Sequence, residues 1–418
     1  MSTAASAPIV EPESSAPPVR QRVDSIDLLR GFVMVVMMLD HTRDFWHSAA
    51  FQFDPTDLTK TYGALFFTRW ITHFCAPTFF FLAGTGAYLR RAKGVTAREL
   101  SHFLWTRGLW LIVLEITVFK LAMTFTLDPG FTLLLTIWAL GWSMIALSLL
   151  VYLPVSVIGA FGVAMIVLHN LFDTLVVAPW SPGKLAPSVM EKLAIVLHQP
   201  AIFPIGHSPK FIVFSGYPLI PWIGVMAAGY AFGRLYTMDA PTRRRVLVRL
   251  GSGVILLFVA LRAANVYGDA SRWSTQKTTA LTLMSFLNTS KYPPSLLYLC
   301  MTLGPAILAL ALLERNRRGS LGRAFVTFGR VPMFFYGMQW FVAHGGALIA
   351  YSLAGKPTSP LFGVPGFSSI PSADLARAGF SLPVTYLAWI GGVLLLYPLC
   401  KWFAEVKRRR NDWWLSYL

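Results

Sequence analysis

Ten apolar stretches, about 17 to 30 residues long and so able to cross a bilayer, run through this sequence. Inside hydrocarbon every backbone N–H and C=O must find its partner within the segment, which leaves a helix bundle as the solution for a chain of this kind. The stretches are 26–46, 64–89, 102–125, 132–153, 155–171, 216–236, 246–266, 294–313, 324–353 and 382–404. The expected fold is therefore all-α, a polytopic integral membrane bundle of about ten transmembrane helices. Residues 1–24 read as a disordered cytoplasmic tail, 25–405 as one membrane domain, and 406–418 as a basic and aromatic interfacial tail.

Charge supports that division. With 36 Lys and Arg against 19 Asp and Glu, the chain carries a formal +17, a balance that can signal nucleic acid. Here the cations punctuate apolar segments instead of covering a polar domain, which is a topology signal and removes the nucleic-acid reading. Short basic connections such as Arg90 to Arg98, Arg243 to Arg249 and Arg315 to Arg330 place both termini on the cytoplasmic side. The longer connections, 178–215, 267–293 and 354–381, then form an outer vestibule. Trp413, Trp414 and Tyr417 beside Lys407 to Arg410 anchor the carboxyl tail at an anionic lipid surface. Cys75, Cys300 and Cys400 all fall inside apolar segments and read as small buried residues, not as a disulfide framework.

The first stretch, IDLLRGFVMVVMMLDHTRDFWH, holds ionisable groups inside both ends. Charges placed where water is scarce must be paired or functional. Arg30, Met34, Met37 and His41 share one helical face, with Arg30 and His41 about 16 Å apart along the axis. A second face carries Asp40, Arg43, Asp44 and His47, so Arg43 can pair with a carboxylate and Asp44 can accept a proton from His47. The catalytic candidates are thus His41 and His47, with Asp40 and Asp44 to orient a base. A bland alternative is a set of interfacial ion pairs closing a helix.

Other buried polar groups extend the candidate site. His73 precedes Pro77 and a small-residue patch in the second stretch. Glu115 lies mid-span in the third and must be protonated or matched to a cation, with Arg107, Arg30 or a ligand as candidates. Lys120 and Arg262 are expected to snorkel outward. Asn288 to Lys291, in FLNTSKYPPS, offers amide, hydroxyl and ammonium donors for a polar substrate or a developing oxyanion. Gln339 and His344 are weaker candidates. With no Walker loop, His-Glu-x-x-His or Cys-x-x-Cys pattern, nucleotide hydrolysis and zinc chemistry lack support, and no metal is expected.

The blocks SIDLLRGFVMVVMMLDHTRDFW, YPLIPWIGVMAAGYAFG, FLNTSKYPPSLLYLCMTLGP, FGRVPMFFYGMQWFVAH and KRRRNDWWLSYL together resemble the bacterial branch of the membrane proteins related to heparan-α-glucosaminide N-acetyltransferase. The resemblance implies a transmembrane acyltransferase of the bacterial inner membrane. Acetyl-coenzyme A is its cytosolic donor, and an amine or hydroxyl of a glycan or related molecule outside is its acceptor. The family pattern has an Asn near the position of His41 and its catalytic His further along, so both His41 and His47 stay open as the base. An inner rim of Arg30, Arg107, Arg243 and Arg244 would suit the donor's phosphates, with Arg43, His73, Glu115, Asn288 and Lys291 on the acceptor side. Self-association into a homo-oligomer is compatible with this reading. The rival is a proton-coupled transporter or lipid-linked-substrate flippase using the same Asp, His and Glu groups, and a third reading is a structural partner in an envelope complex.

Overall fold

The computed structural model describes residues 24–206, 210–314, 319–362 and 370–410, with 412 and 415. The expected amino-terminal tail, Arg315 to Arg318 and the aromatic residues of the carboxyl tail lie outside these. The described chain is mostly helical. Its helices are α1 (Asp24–Trp46), α2 (Gly63–Thr72), α3 (Cys75–Arg91), α4 (Ala97–Leu114), α5 (Lys120–Thr124), α6 (Thr136–Leu150), α7 (Val155–Leu168) and α8 (Val189–Leu197). There follow α9 (Leu219–Phe232), α10 (Ala240–Ala264), α11 (Thr279–Leu287), α12 (Leu296–Leu313), α13 (Ser320–Arg330), α14 (Pro332–Leu353), α15 (Ser372–Arg377) and α16 (Leu382–Arg409). Among the described residues four helical segments are individually long and apolar enough to cross a bilayer: Val155–Thr174, Ala240–Ala264, Leu296–Leu313 and Leu382–Arg409.

Several expected spans are divided, and each division has a local cause. The second breaks between Thr72 and Cys75 because Pro77, lacking an N–H, cannot bond the carbonyl of His73. That freed carbonyl accepts instead from the Tyr298 hydroxyl on α12 at 2.8 Å, so the buried acceptor is satisfied from across the bundle. In the third, Glu115–Phe119 forms a π-helical turn between α4 and α5. The ninth stops at Val331, because Pro332 suits the first turn of α14 but not the interior of a longer helix.

The fourth expected span corrects a second kind of error. Residues Phe131–Leu134 are not helical but form strand β1, after a turn in which the Gly130 amide bonds Asp128 Oδ1 at 2.8 Å. The strand pairs in parallel with β3 (Ile212–Ser215), which pairs antiparallel with β2 (Ala201–Pro204). A short apolar run cannot by itself distinguish strand from helix, and the strand partners lie in a segment read as loop.

Helix α1 is the centre of the packing. It touches α13, α14, α16, α3 and α12; its Trp46 indole N–H donates to Ala343 O of α14 at 2.9 Å, and the Trp389 indole N–H of α16 donates to its own Val35 O at 2.8 Å. Its crossing with α13 is the closest constraint: a Cβ on Gly31 would overlap the Phe325 carbonyl, and one on Gly329 would overlap the Asp27 carbonyl. Small residues at such crossings let two backbones meet. Gly31→Ala is expected to destabilise the protein by about 1–3 kcal/mol or more, since a backbone, not a flexible side chain, blocks the methyl. Thermal unfolding in detergent checks this, and an unchanged midpoint would remove Gly31 from the crossing.

Candidate functional site

Asp40 stands near the carboxyl end of α1, nearly two turns before the chain leaves the helix, and three cations surround it. Arg43, on the next turn, places Nη2 3.0 Å from Asp40 Oδ1 and 2.6 Å from Asp44 Oδ1. Arg69 of α2 brings Nη1 to 2.7 and 2.5 Å from the two oxygens of Asp40. Lys291, from the loop before α12, sits 3.9 Å away. A buried carboxylate held by guanidinium groups from two helices and approached by an ammonium is charge-matched and geometrically fixed. Arg69 was not among the residues singled out from sequence. Its signal was there: a cation in an apolar helix, four residues before His73 and so on the same face.

The two histidines of the first helix have different surroundings. The His47 ring accepts the Ala49 amide at Nδ1 (3.2 Å), capping a short 3₁₀ turn, Ser48–Phe51. That bond leaves the proton of the neutral ring on Nε2. Burial and the neighbouring Arg43 push His47 down to about 4, so the ring is uncharged at neutral pH. His41 instead stacks on Trp340 of α14, ring centroids 3.7 Å apart, and its buried Nδ1 has no hydrogen-bond partner among the described residues. Asp40 and Asp44 are occupied by the cations and neither is bonded to His41 or His47 among the described residues.

The remaining candidates divide between this end and the opposite one. His73, at the α2–α3 interruption, is buried with an unpartnered Nδ1. Together with Asp54, Asn288, Ser290, Lys291 and Tyr292 it lines a polar cavity of about 270 Å³. Asn288 also donates to Thr56 O at 3.1 Å. Arg262, expected to snorkel, is the reverse: 1% exposed, it donates to the carbonyls of Ser271, Ser285, Phe286 and Asn288 at 2.7 to 3.0 Å. The loop folds back over α10 and supplies those acceptors, which reaching for water would have left unmatched. Asp269, also missed from sequence, accepts from Ser290 and Ser295 hydroxyls at 2.7 and 2.8 Å and so shapes the Lys291 turn. Lys120, also expected to snorkel, is likewise buried, with its ammonium bonded to the Asp128 carbonyl.

Among the described residues Glu115 pairs with no arginine. The π turn aims its carboxyl at the start of α6, where Oε1 accepts the Leu135 amide at 3.2 Å, a helix-capping role. His344 is sandwiched between Phe45 and Phe125 and donates from Nδ1 to Ala122 O at 2.9 Å. Gln339 reaches Met37 Sδ at 3.7 Å. Both are absorbed into packing.

At the opposite end of α1, Arg30 bonds Asp27 at 3.1 Å and the Gly329 carbonyl at 3.2 Å. Arg243 is held by Glu314 at 2.6 Å, and Arg107 lies over the Phe103 ring at 5.7 Å. Arg244, Arg245 and Arg249 line a cleft of about 470 Å³, and the Arg244 Nε is buried without a partner among the described residues. Between the two ends, Met34 and Met38 are fully buried and Met37 nearly so. Among the described residues there is no cluster of His, Cys, Asp or Glu with metal-holding geometry.

Against this geometry, a family model described as "Heparan-alpha-glucosaminide N-acetyltransferase, catalytic" matches residues 22–267. The match takes in α1 to α10 with Asp40, His41, Arg69 and His73. It stops short of the Lys291 turn, of α14 and of the carboxyl tail, where the sequence blocks had extended the resemblance. No curated protein matches the chain.

Proposed function

Because this chain belongs to the heparan-α-glucosaminide N-acetyltransferase catalytic family, we propose that it carries an acetyl group from acetyl-coenzyme A, taken from the cytoplasmic side, to an amine or hydroxyl of a glycan-like acceptor on the other side. Both termini would be cytoplasmic and the membrane a bacterial inner membrane. The observation that carries the reading is His41: a ring fixed by stacking on Trp340, with a buried nitrogen that has no partner among the described residues, beside a carboxylate held by three cations.

The donor's phosphates fit the cleft of Arg244, Arg245 and Arg249, where an orphaned guanidinium nitrogen and concentrated positive charge suit a diphosphate. Arg30 and Arg243 already hold protein partners and would serve as the rim of that region. When bound, acetyl-coenzyme A supplies an activated thioester carbonyl. His41 takes the acceptor's N–H or O–H proton as the acceptor atom bonds that carbonyl carbon. The same proton is then returned to the sulfur as the C–S bond breaks, so a thiol and an acetylated acceptor leave. Arg69 and Lys291, already pointing at Asp40, stabilise the negative charge that develops on the carbonyl oxygen. Asp40 acts by holding those cations in register. Met34 and Met37 must re-pack to admit the donor's arm, which unbranched thioether side chains do readily.

The test is direct. Purified protein in lipid nanodiscs, given acetyl-coenzyme A and glucosamine, is expected to release thiol and N-acetylglucosamine in equal amounts. Absence of both products across a panel of amino and hydroxyl acceptors would overturn the proposal. The interruption at His73 also suits proton-coupled transport, which would show instead as substrate uptake into proteoliposomes lacking any acyl donor.

A further inference from the structure

Two cavities of opposite character meet at the candidate site. The polar one, about 270 Å³, is lined by His73, Asn288, Ser290 and Lys291. The other, about 600 Å³, is walled mainly by apolar groups, among them Phe51, Phe53, Leu133, Phe214, Trp340 and Leu361. Arg69 and Asp54 line both, so the cavities are adjacent across one guanidinium and one carboxylate. Trp340, in the wall of the larger cavity, is the ring on which His41 stacks. The small volume lies just below the usual range of ligand pockets, about 300–1,000 Å³, and suits a single polar ring, whereas the larger lies in the middle of that range.

We propose that the acceptor is amphiphilic: a sugar that bears an apolar aglycone, with the sugar in the polar cavity and the aglycone in the aromatic one. The inference rests on the acetyl-transfer reading for its chemistry, but the binding geometry stands on the two cavities alone. A purely polar saccharide would leave the Phe51, Phe53, Phe214 and Trp340 wall facing water, whereas an alkyl or aryl group removes that surface from water. The junction at Arg69 and Asp54 supplies donors and an acceptor for the hydroxyls nearest the glycosidic bond. The reacting amine or hydroxyl then lies at the junction; His41 lines neither cavity and adjoins the larger one through the Trp340 ring on which it stacks.

The experiment compares three acceptors in nanodiscs: glucosamine, 4-nitrophenyl β-glucosaminide and octyl β-glucosaminide below its micellar concentration. Burial of about 100 Å² of apolar surface predicts a kcat/KM preference on the order of 50-fold for a glycoside over the free sugar. Whether the ring or the chain wins identifies an aryl or a lipid-like aglycone. Phe53→Ala, at a ring that belongs to neither the main nor the satellite buried clusters, is expected to lose most of that preference. A second readout needs no turnover: unreactive 4-nitrophenyl β-glucoside is expected to quench tryptophan fluorescence saturably, and about tenfold more weakly in Phe53→Ala. Binding without transfer would leave this proposal standing while removing the acetyltransferase reading. Transfer with equal kcat/KM for all three acceptors, or a Phe53→Ala defect confined to the KM for acetyl-coenzyme A, would overturn it and assign the aromatic cavity to the donor.

Discussion

His41→Ala is expected to lower acetyl transfer by about 10² to 10⁴-fold, the usual contribution of a positioned general base. The loss should fall on kcat as well as kcat/KM, because the ring acts on a proton in flight and not on ground-state binding. Folding should survive: the ring stacks on Trp340, and its removal leaves no donor or acceptor stranded, since Nδ1 has no protein partner among the described residues. His47→Ala supplies the contrast. Its ring caps the 3₁₀ turn through the Ala49 amide, so its removal should cost about 0.5–2 kcal/mol of stability, as cap losses do, and change turnover far less. Steady-state kinetics and thermal unfolding on both variants separate the roles. An active His41→Ala beside an inactive, stable His47→Ala would transfer the base to His47.

The second large effect concerns stability. Asp40→Ala removes the shared counter-charge of Arg43, Arg69 and Lys291. Breaking a buried pair by deleting one partner typically costs about 3–5 kcal/mol, because the remaining charge stays buried and unmatched. Here three cations are left together, although Arg43 keeps Asp44, whose carboxylate is more exposed. The expected result is a sharply lower unfolding temperature or loss of purifiable protein. Asp40→Asn, which keeps the shape and an acceptor, should fall between. The diagnostic is a double variant: Asp40→Ala with Arg69→Met should regain part of the lost stability, as coupled neighbours do. Equal stability of Asp40→Ala and the parent protein would show that the cations do not depend on this carboxylate.

How much of this was legible before the structure follows from the range of each interaction. The Asp40–Arg43 and Arg43–Asp44 pairs lie within one helix turn, so the spacing of α1 alone announced them. Arg69 comes from 29 positions away, a range that helical spacing does not cover. Arg262 shows the opposite failure. Depth in an apolar helix led to the expectation of a snorkelling side chain, but its fate was decided by the backbone of 271–288 folding over it, which periodicity does not encode. Glu115 was read as protonated or matched to a cation, but its Oε1 accepts from a backbone amide instead. That amide, of Leu135, has no side-chain signature in the sequence. The breaks at Pro77 and Pro332 were written in the chain, yet the Tyr298 hydroxyl that completes the first of them lies 225 residues from His73. Local chemistry was readable, and the long-range partners that complete it were not.

The methionine packing between the two ends of α1 has an electrical consequence. Charged and hydrogen-bonding groups gather at both ends, around Arg30 and around Asp40. If a continuous file of water or ionisable side chains joined them, protons could hop from one face of the membrane to the other and drain the gradient the cell maintains. On α1 itself, the side chains between are Met34, Met37 and Met38 among Phe32, Leu39 and valines, and neither a thioether nor a hydrocarbon ionises or relays a proton. With α1 crossing the bilayer as proposed, this stretch would act as an insulator between the donor and acceptor ends of one helix.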